Sequence, residues 1–134
     1  MDQNLSGINY GYIIVKATTA NGALPVERAV VTLRDLEDRI ISVQFTDASG
    51  LTQKVKVLAP PKINSQSPGT NLPPFYAYNI DTDKEGYISV RDLDVPVYPG
   101  ITSVQTVELI PLNEGNEDNQ NGDIIYNEGF PPDL

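Results

Sequence analysis

The sequence predicts an all-β protein, a seven-stranded antiparallel β-sandwich with a flexible acidic C-terminal tail. Apolar residues recur at every second position in several short runs, which is the period of strands with one buried face. Turn-forming Gly, Pro, Asn and Asp separate these runs at intervals of about 8–12 residues, a spacing typical of sandwiches. No long stretch shows helical periodicity. Two packed sheets would bury the alternating faces of such strands against each other.

Four runs of this kind precede the middle of the chain, at 11–19, 30–34, 40–46 and 51–58. Asn21-Gly22 indicates a tight turn after the first run, because both residues tolerate positive φ. Pro25 indicates a strand edge or a link between strands. Residues 59–74 contain five prolines and are therefore predicted to be a long connection rather than a strand.

Three further antiparallel strands are predicted between 76 and 111, with corners at 84–86 and 98–100. The domain prediction is a loose lead-in over 1–9, the sandwich over 10–111 and an acidic tail over 112–134, where six carboxylates stand without Lys or Arg. The alternating positions predict a core of Ile13, Val15, Val31, Leu33, Ile41, Val43, Val55, Val57, Tyr78, Ile80, Ile88, Val90, Val107 and Leu109.

The composition restricts the chemistry that the protein can perform. There is no cysteine and no histidine, which removes thiol chemistry, the usual general base near neutral pH and the commonest metal ligand. The net charge of −9 argues against nucleic acid and anionic membranes as partners. No signal peptide or long apolar segment is evident, so we expect a protein made in soluble form inside the cell.

Several motifs together resemble a known family. They are 11–17, 24–33, the Thr-Asp-x-x-Gly turn within 46–52, the Gly-Tyr at 86–87 and the Tyr-Pro-Gly at 98–100. In this order they resemble a carboxypeptidase regulatory-like domain of the transthyretin-like superfamily, over about residues 10–111. Residues 58–61, 74–80 and 99–112 are also similar to the transthyretin-like segment of spore cortex-lytic proteases.

The resemblance implies a non-catalytic module that acts as a binding or structural adaptor, deposited in a spore or cell-envelope assembly. A structural component of a phage virion or tail is the alternative, since small sandwiches also serve there. The resemblance also bears on catalysis, because the related hydrolases that open a urate-derived ring depend on histidines. With no histidine and no Gly-x-Ser-x-Gly motif, the sequence predicts neither an enzyme nor a cofactor.

Two segments match the calcium loop of an EF-hand in part. In the first, 81–92, the potential ligands are Asp81, Asp83, Glu85 and Asp92, with Gly86 in register. In the second, 117–128, they are Glu117, Asn119, Asn121 and Glu128. An EF-hand needs a helix on each side of its loop, and neither segment has one in the predicted sandwich. We therefore predict no metal site and keep calcium binding as an alternative function.

The long connection and the aromatic residues after it form the predicted contact region for a partner. Tyrosine and phenylalanine at such a surface suit a protein or a cell-wall glycan, because their rings are broad and rigid. Pairing at an open strand edge is the alternative mode of contact. The predicted contact residues are Pro60, Pro61, Pro73, Pro74, Phe75 and Tyr76.

Overall fold

A computed structural model describes residues 9–60, 75–112 and 124–127 of the chain. Within these ranges the protein consists of β-strands and turns, with no helix, which confirms the all-β prediction. The strands are β1 (Asn9–Thr19), β2 (Leu24–Pro25), β3 (Val30–Arg34), β4 (Ile40–Phe45), β5 (Val55–Ala59), β6 (Tyr76–Asp83), β7 (Val90–Val97), β8 (Thr102–Glu108) and β9 (Ile124–Asn127).

The strands form two sheets. In the first sheet β1 is central, with β5 and β2 antiparallel along one side and β8 parallel along the other. The second sheet has the order β4-β3-β6-β7-β9, antiparallel except for the parallel pair of β7 and β9. One hydrophobic core contains buried residues from both sheets, as expected for a β-sandwich.

The predicted count of seven strands, all antiparallel, is corrected to nine strands with two parallel pairs among the described residues. One additional strand is the two-residue β2, which contains Pro25 and pairs with the end of β1. The other is β9, which lies inside the stretch 112–134 predicted to be a flexible tail. Its residues Ile124, Ile125 and Tyr126 favour a strand, a local signal that the acidic composition around them obscured.

Most of the predicted core is confirmed. The buried members are Ile13, Val15, Val31, Leu33, Val57, Tyr78, Ile80, Val90, Val107 and Leu109. Val55 is half-buried and packs against them, and Ile88 is also half-buried. Ile41 and Val43 were predicted wrongly, because their side chains are 40% and 54% exposed.

Thr46 explains the orientation of β4. Its buried hydroxyl accepts a hydrogen bond from the Ala29 N–H at 2.9 Å and donates one to the Val26 carbonyl at 2.7 Å. Because side chains alternate along a strand, the side chains of Gln44 and Ser42 face the same way as Thr46. Both border the narrow gap between the sheets, and the apolar residues of β4 consequently face outward.

The turn from Thr46 to Thr52 is held by its own side chains. The Asp47 carboxylate accepts hydrogen bonds from the N–H groups of Ser49 and Leu51, at 2.8 and 3.0 Å. Gly50 has a φ of 81° and passes so close to the Ala17 carbonyl that an added Cβ would clash with it. Thr52 then accepts the Val15 N–H at 3.0 Å, which joins the turn to β1.

Candidate partner-binding surface

Exposed aromatic residues gather at the end of the sandwich from which the connection 61–74 leaves. Tyr10, Phe75 and Tyr76 are 39%, 38% and 46% exposed, and Phe75 packs edge-to-face on Tyr98 with ring centroids 5.6 Å apart. The Gly100 N–H donates to the Tyr10 carbonyl at 2.8 Å, which brings the turn after Tyr98 to the start of β1. We call Tyr10, Phe75, Tyr76 and Tyr98 the aromatic end.

Strand alternation explains why these rings are exposed. Tyr10 lies on the outer face of β1, because Ile13 and Val15 occupy its inner face. The Lys56 ammonium lies 4.3 Å from the centroid of the Tyr10 ring, a cation–π contact that leaves much of the ring accessible. Tyr76 shares a face with the buried Tyr78 but lies at the very start of β6, where none of the described strands covers it.

A shallow groove beside Tyr76 is bordered by the turn between β3 and β4. Its lining includes the exposed Leu36, together with Asp35 and Arg39, whose side chains form an ion pair of 2.8 Å. The Arg39 backbone N–H, which donates to the Asp35 carboxylate, is the main cause that lowers the pKa of that carboxyl below its ordinary value. The groove is therefore lined by apolar side chains together with an anion and a cation that pair with each other.

The structure places the predicted contact residues in different surroundings. Phe75 and Tyr76 are exposed, as a contact role requires, whereas Pro60 is buried and therefore gives no surface to a partner. Pro61, Pro73 and Pro74 lie outside the described residues, so their part in a contact stays a prediction.

Residues of the first EF-hand-like segment lie on two strands and the turn between them. Asp81 is on the outer face of β6, where Arg34 and Arg91 bind its carboxylate at 3.2 and 2.8 Å. Asp92 is opposite the buried Ile80 and is itself only 2% exposed. Asp81 and Asp92 therefore project from opposite faces of the sheet, whereas the first and last ligands of an EF-hand loop bind the same ion.

The remaining members of that segment are also accounted for. The Ser89 hydroxyl donates a short hydrogen bond to Asp83, and Glu85 is exposed in the turn, next to Gly86 with a φ of 90°. Among the described residues, no group of three or more His, Cys, Asp or Glu side chains has the arrangement of a metal site. Glu117, Asn119, Asn121 and Glu128 of the second segment fall outside the described residues.

Sequence reasoning missed an apolar surface on β4. Ile41, Val43 and Phe45, which we call the β4 patch, are 40%, 54% and 59% exposed. The patch continues onto β3, where Val43 pairs with Thr32 and Phe45 with Val30. Alternation alone does not say which face of a strand is buried. The orientation of β4 follows from Thr46, which is buried directly after the strand.

Comparisons with known proteins show likeness at the level of structure. No family model matches the chain, and no curated protein matches its sequence. The solved structures that match include catechol 1,2-dioxygenase from Acinetobacter sp. ADP1, with a TM-score of 0.55 and 10% identity over 93% of this chain. Catechol 1,2-dioxygenase from Pseudomonas arvilla C-1 matches with a TM-score of 0.52 and 11% identity over 90% of this chain. The Bacillus anthracis TIE protein matches with a TM-score of 0.50 and 14% identity over 78% of this chain.

At such identities the likeness shows the fold alone. The chain corresponds to 60% and 57% of the two dioxygenases and to 17% of the TIE protein. The prediction that the chain is not an enzyme is contradicted by these likenesses, because enzymes are built on the same fold. The absence of histidine and of a Gly-x-Ser-x-Gly motif therefore gave no ground for excluding catalysis on this fold.

The described residues contain no helix long and apolar enough to cross a membrane.

Proposed function

We propose that this protein is a β-sandwich binding module that recognises its partner through the aromatic end. The observation that carries the proposal is the grouping of Tyr10, Phe75 and Tyr76 as partly exposed rings at one end of the sandwich. Such rings bring a large contact area at a small cost in conformational entropy, and tyrosine adds a hydroxyl at its tip. The strands beneath the rings hold them in place, which suits recognition of a protein surface or a cell-wall glycan.

The position of the proline-rich connection, residues 61–74, supports this proposal. It begins after Pro60 and returns at Phe75, so both of its ends adjoin the aromatic end. We extend the proposed contact to this connection, with a role in a spore or cell-envelope assembly as the biological setting. The boundaries of the module are proposed to be residues 10 and 111.

The resemblance to carboxypeptidase regulatory-like domains supports that setting. The Thr-Asp-x-x-Gly turn on which it rests is a structural element here, since Thr46, Asp47 and Thr52 each bond to backbone groups. We propose a transthyretin-like module of the carboxypeptidase regulatory-like kind. Neighbouring genes test the setting: sporulation or peptidoglycan-lytic genes would support it, and baseplate or tail genes would favour a virion component instead.

The contact is tested by capture of partners from a native lysate and by binding to purified cell-wall glycan. We expect the wild-type chain to retain a partner in one of these assays and the double variant Phe75→Ala, Tyr76→Ala to lose it. Tyr126→Ala is the matched control, because Tyr126 is similarly exposed at 48% but lies on β9. Equal retention by the wild type and the double variant would contradict the role of the aromatic end.

A second variant tests the connection by itself. Replacing residues 62–72 with a Gly-Ser linker leaves Phe75 and Tyr76 in the chain. Loss of the partner with this replacement alone would place the contact on the connection, whereas full retention would confine it to the rings.

A further inference from the structure

Among the strands that the structure describes, β4 is at the edge of its sheet, with its backbone open along one side. Its neighbour among the described strands is β3. Just after β4, the Thr46 N–H donates to the Ala29 carbonyl at 3.0 Å, and the Thr46 carbonyl accepts from the Arg28 N–H at 2.9 Å. Both backbone groups of Thr46 therefore point toward the β3 side. In an antiparallel pair the bonding direction alternates with each residue. Val43 and Phe45 therefore direct their N–H and C=O groups away from β3.

This edge lacks most of the features that usually prevent edges from pairing. Between Ile40 and Phe45 there is no charged residue, proline or glycine. In contrast, β2 contains Pro25 and β5 contains Lys56. A register shift opposite Arg34 interrupts the beginning of β4 and leaves Ser42–Phe45 as its regular part.

We propose that β4 pairs antiparallel with β4 of a second copy of this chain, about a two-fold axis at Val43. The pairing would place Val43 beside its symmetry mate and Phe45 beside Ile41 of the second copy. On the other face, Ser42 would lie opposite Gln44 of the second copy. Across the regular part, Ser42–Phe45, apolar side chains thus meet apolar ones and polar side chains meet polar ones.

Charge complementarity favours this register and a second copy of the same chain as the partner. With Val43 at the axis, Arg39 of one copy lies near Asp47 of the other, each just beyond an end of β4, and the symmetry produces this pair twice. Arg39 pairs with Asp35 at 2.8 Å and with Glu37 at 2.9 Å in its own chain, yet 71% of its side chain stays exposed, so it can also contact the exposed Asp47 of the second copy. A two-fold axis at Phe45 would instead place Asp47 opposite Val43, which matches a charge with an apolar side chain.

The proposal is independent of the proposed function, because the β4 patch and the aromatic end have no residue in common. The first test is sedimentation velocity of the full chain across micromolar to millimolar concentrations. We expect a concentration-dependent dimer, and a dimer association constant lowered about tenfold or more in Val43→Lys. Val104→Lys is the matched control, since Val104 is 58% exposed on β8, and it should dimerise like the wild type.

A second test uses the absence of cysteine from the chain. In the proposed register the two copies of residue 43 form a hydrogen-bonded pair with Cα atoms about 5.5 Å apart, a separation that a disulfide spans. Val43→Cys should therefore form a covalent dimer under mild oxidation much faster than Val104→Cys. Circular dichroism of each variant verifies that it is folded.

Three results would overturn the proposal. One is a wild-type chain that stays monomeric over the whole concentration range. Another is a dimer that Val43→Lys does not weaken, or equal oxidation rates of the two cysteine variants. The third is a monomeric wild type that captures another protein in a manner that depends on Val43, which would make the edge a docking strand for that protein.

Discussion

The Tyr78 hydroxyl donates a hydrogen bond of 2.7 Å to the carbonyl oxygen of Leu58. Tyr78 belongs to β6 of the second sheet and Leu58 to β5 of the first, so this bond joins the two sheets directly. It lies close to the point where the connection 61–74 leaves β5. Tyr78 is 5% exposed, and its burial is the main cause that raises the pKa of its phenol above the ordinary value.

Tyr78→Phe is expected to lower the free energy of unfolding by about 1 kcal/mol, because the ring stays buried while the bond to Leu58 is lost. Urea unfolding at neutral pH measures this change. Tyr126→Phe serves as the control, since the Tyr126 side chain is largely exposed, and should have little effect. Equal stability of Tyr78→Phe and the wild type would show that water replaces the lost bond without cost.

The raised pKa of Tyr78 also predicts a dependence of stability on alkaline pH. A phenol whose pKa is higher in the folded than in the unfolded state stabilises the fold fully below the unfolded value of 10.0. This contribution decreases as the pH rises through the folded pKa, because the unfolded chain gains more from ionisation. The stability difference between wild type and Tyr78→Phe should therefore become smaller as the pH rises above 10.0, compared with its value at neutral pH. A difference that stays constant over that range would contradict the pKa assignment.

Thr46→Val should destabilise the protein by about 1–3 kcal/mol. The substitution preserves the shape of the side chain but leaves the Ala29 N–H and the Val26 carbonyl without their partner in the interior. Thr106→Val on β8 is the matched control, because Thr106 is exposed. Thermal unfolding of both variants measures the difference, and equal melting temperatures would contradict the role assigned to Thr46.

Gly50→Ala and Gly22→Ala separate a steric clash from backbone strain. Both glycines have positive φ, 81° and 86°, so alanine costs about 1–2 kcal/mol at either position. An added Cβ at Gly22 meets no atom within 4 Å, whereas at Gly50 it would overlap the Ala17 carbonyl oxygen. We expect Gly50→Ala to be clearly the more destabilising in urea unfolding. Similar losses for the two variants would mean that β1 moves freely to admit the Cβ.

Calcium at millimolar concentration is expected to leave the melting temperature unchanged, because a ligand raises it only by binding the native state. The Asp81 carboxylate is already bound by Arg34 and Arg91. A shift that disappears in Asp81→Ala with Asp83→Ala would assign calcium to the first EF-hand-like segment. A shift that disappears in Gly122→Ala or Glu128→Ala would assign it to the second.

The sequence was sufficient to assign core residues where only one face of a strand is apolar. Val31 and Leu33 were assigned correctly to the core, because the polar residues Thr32 and Arg34 alternate with them. It was insufficient for β4, where Ile41 and Val43 follow the alternation but face outward. Their orientation depends on the hydroxyl of Thr46, whose backbone partners are determined by tertiary structure.

Other omissions have equally physical reasons. Val95 and Val97 are buried on β7 although the alternation in the sequence did not place them in the core, because the positive φ at Asp94 interrupts the regular strand just before them. Asp92 is buried although charged residues are rarely found in the interior. The aromatic end was predicted in part, because Phe75 and Tyr76 stood out by composition. Its remaining members depend on the turn at Tyr98 folding back onto Tyr10, a contact between distant parts of the chain.

The parallel pairing of β1 with β8 has a consequence for biosynthesis. Tyr12 pairs with Thr102 and Thr18 with Glu108. One side of β1 is therefore paired with a strand near the opposite end of the sandwich sequence. A ribosome releases β1 long before it makes β8, and during that interval β1 offers an unpaired edge to other nascent chains. Such distant contacts also slow folding, because a long loop must close before they form. We therefore expect the sandwich to be completed only after translation has passed β8, and chaperone demand to be greatest just before that moment.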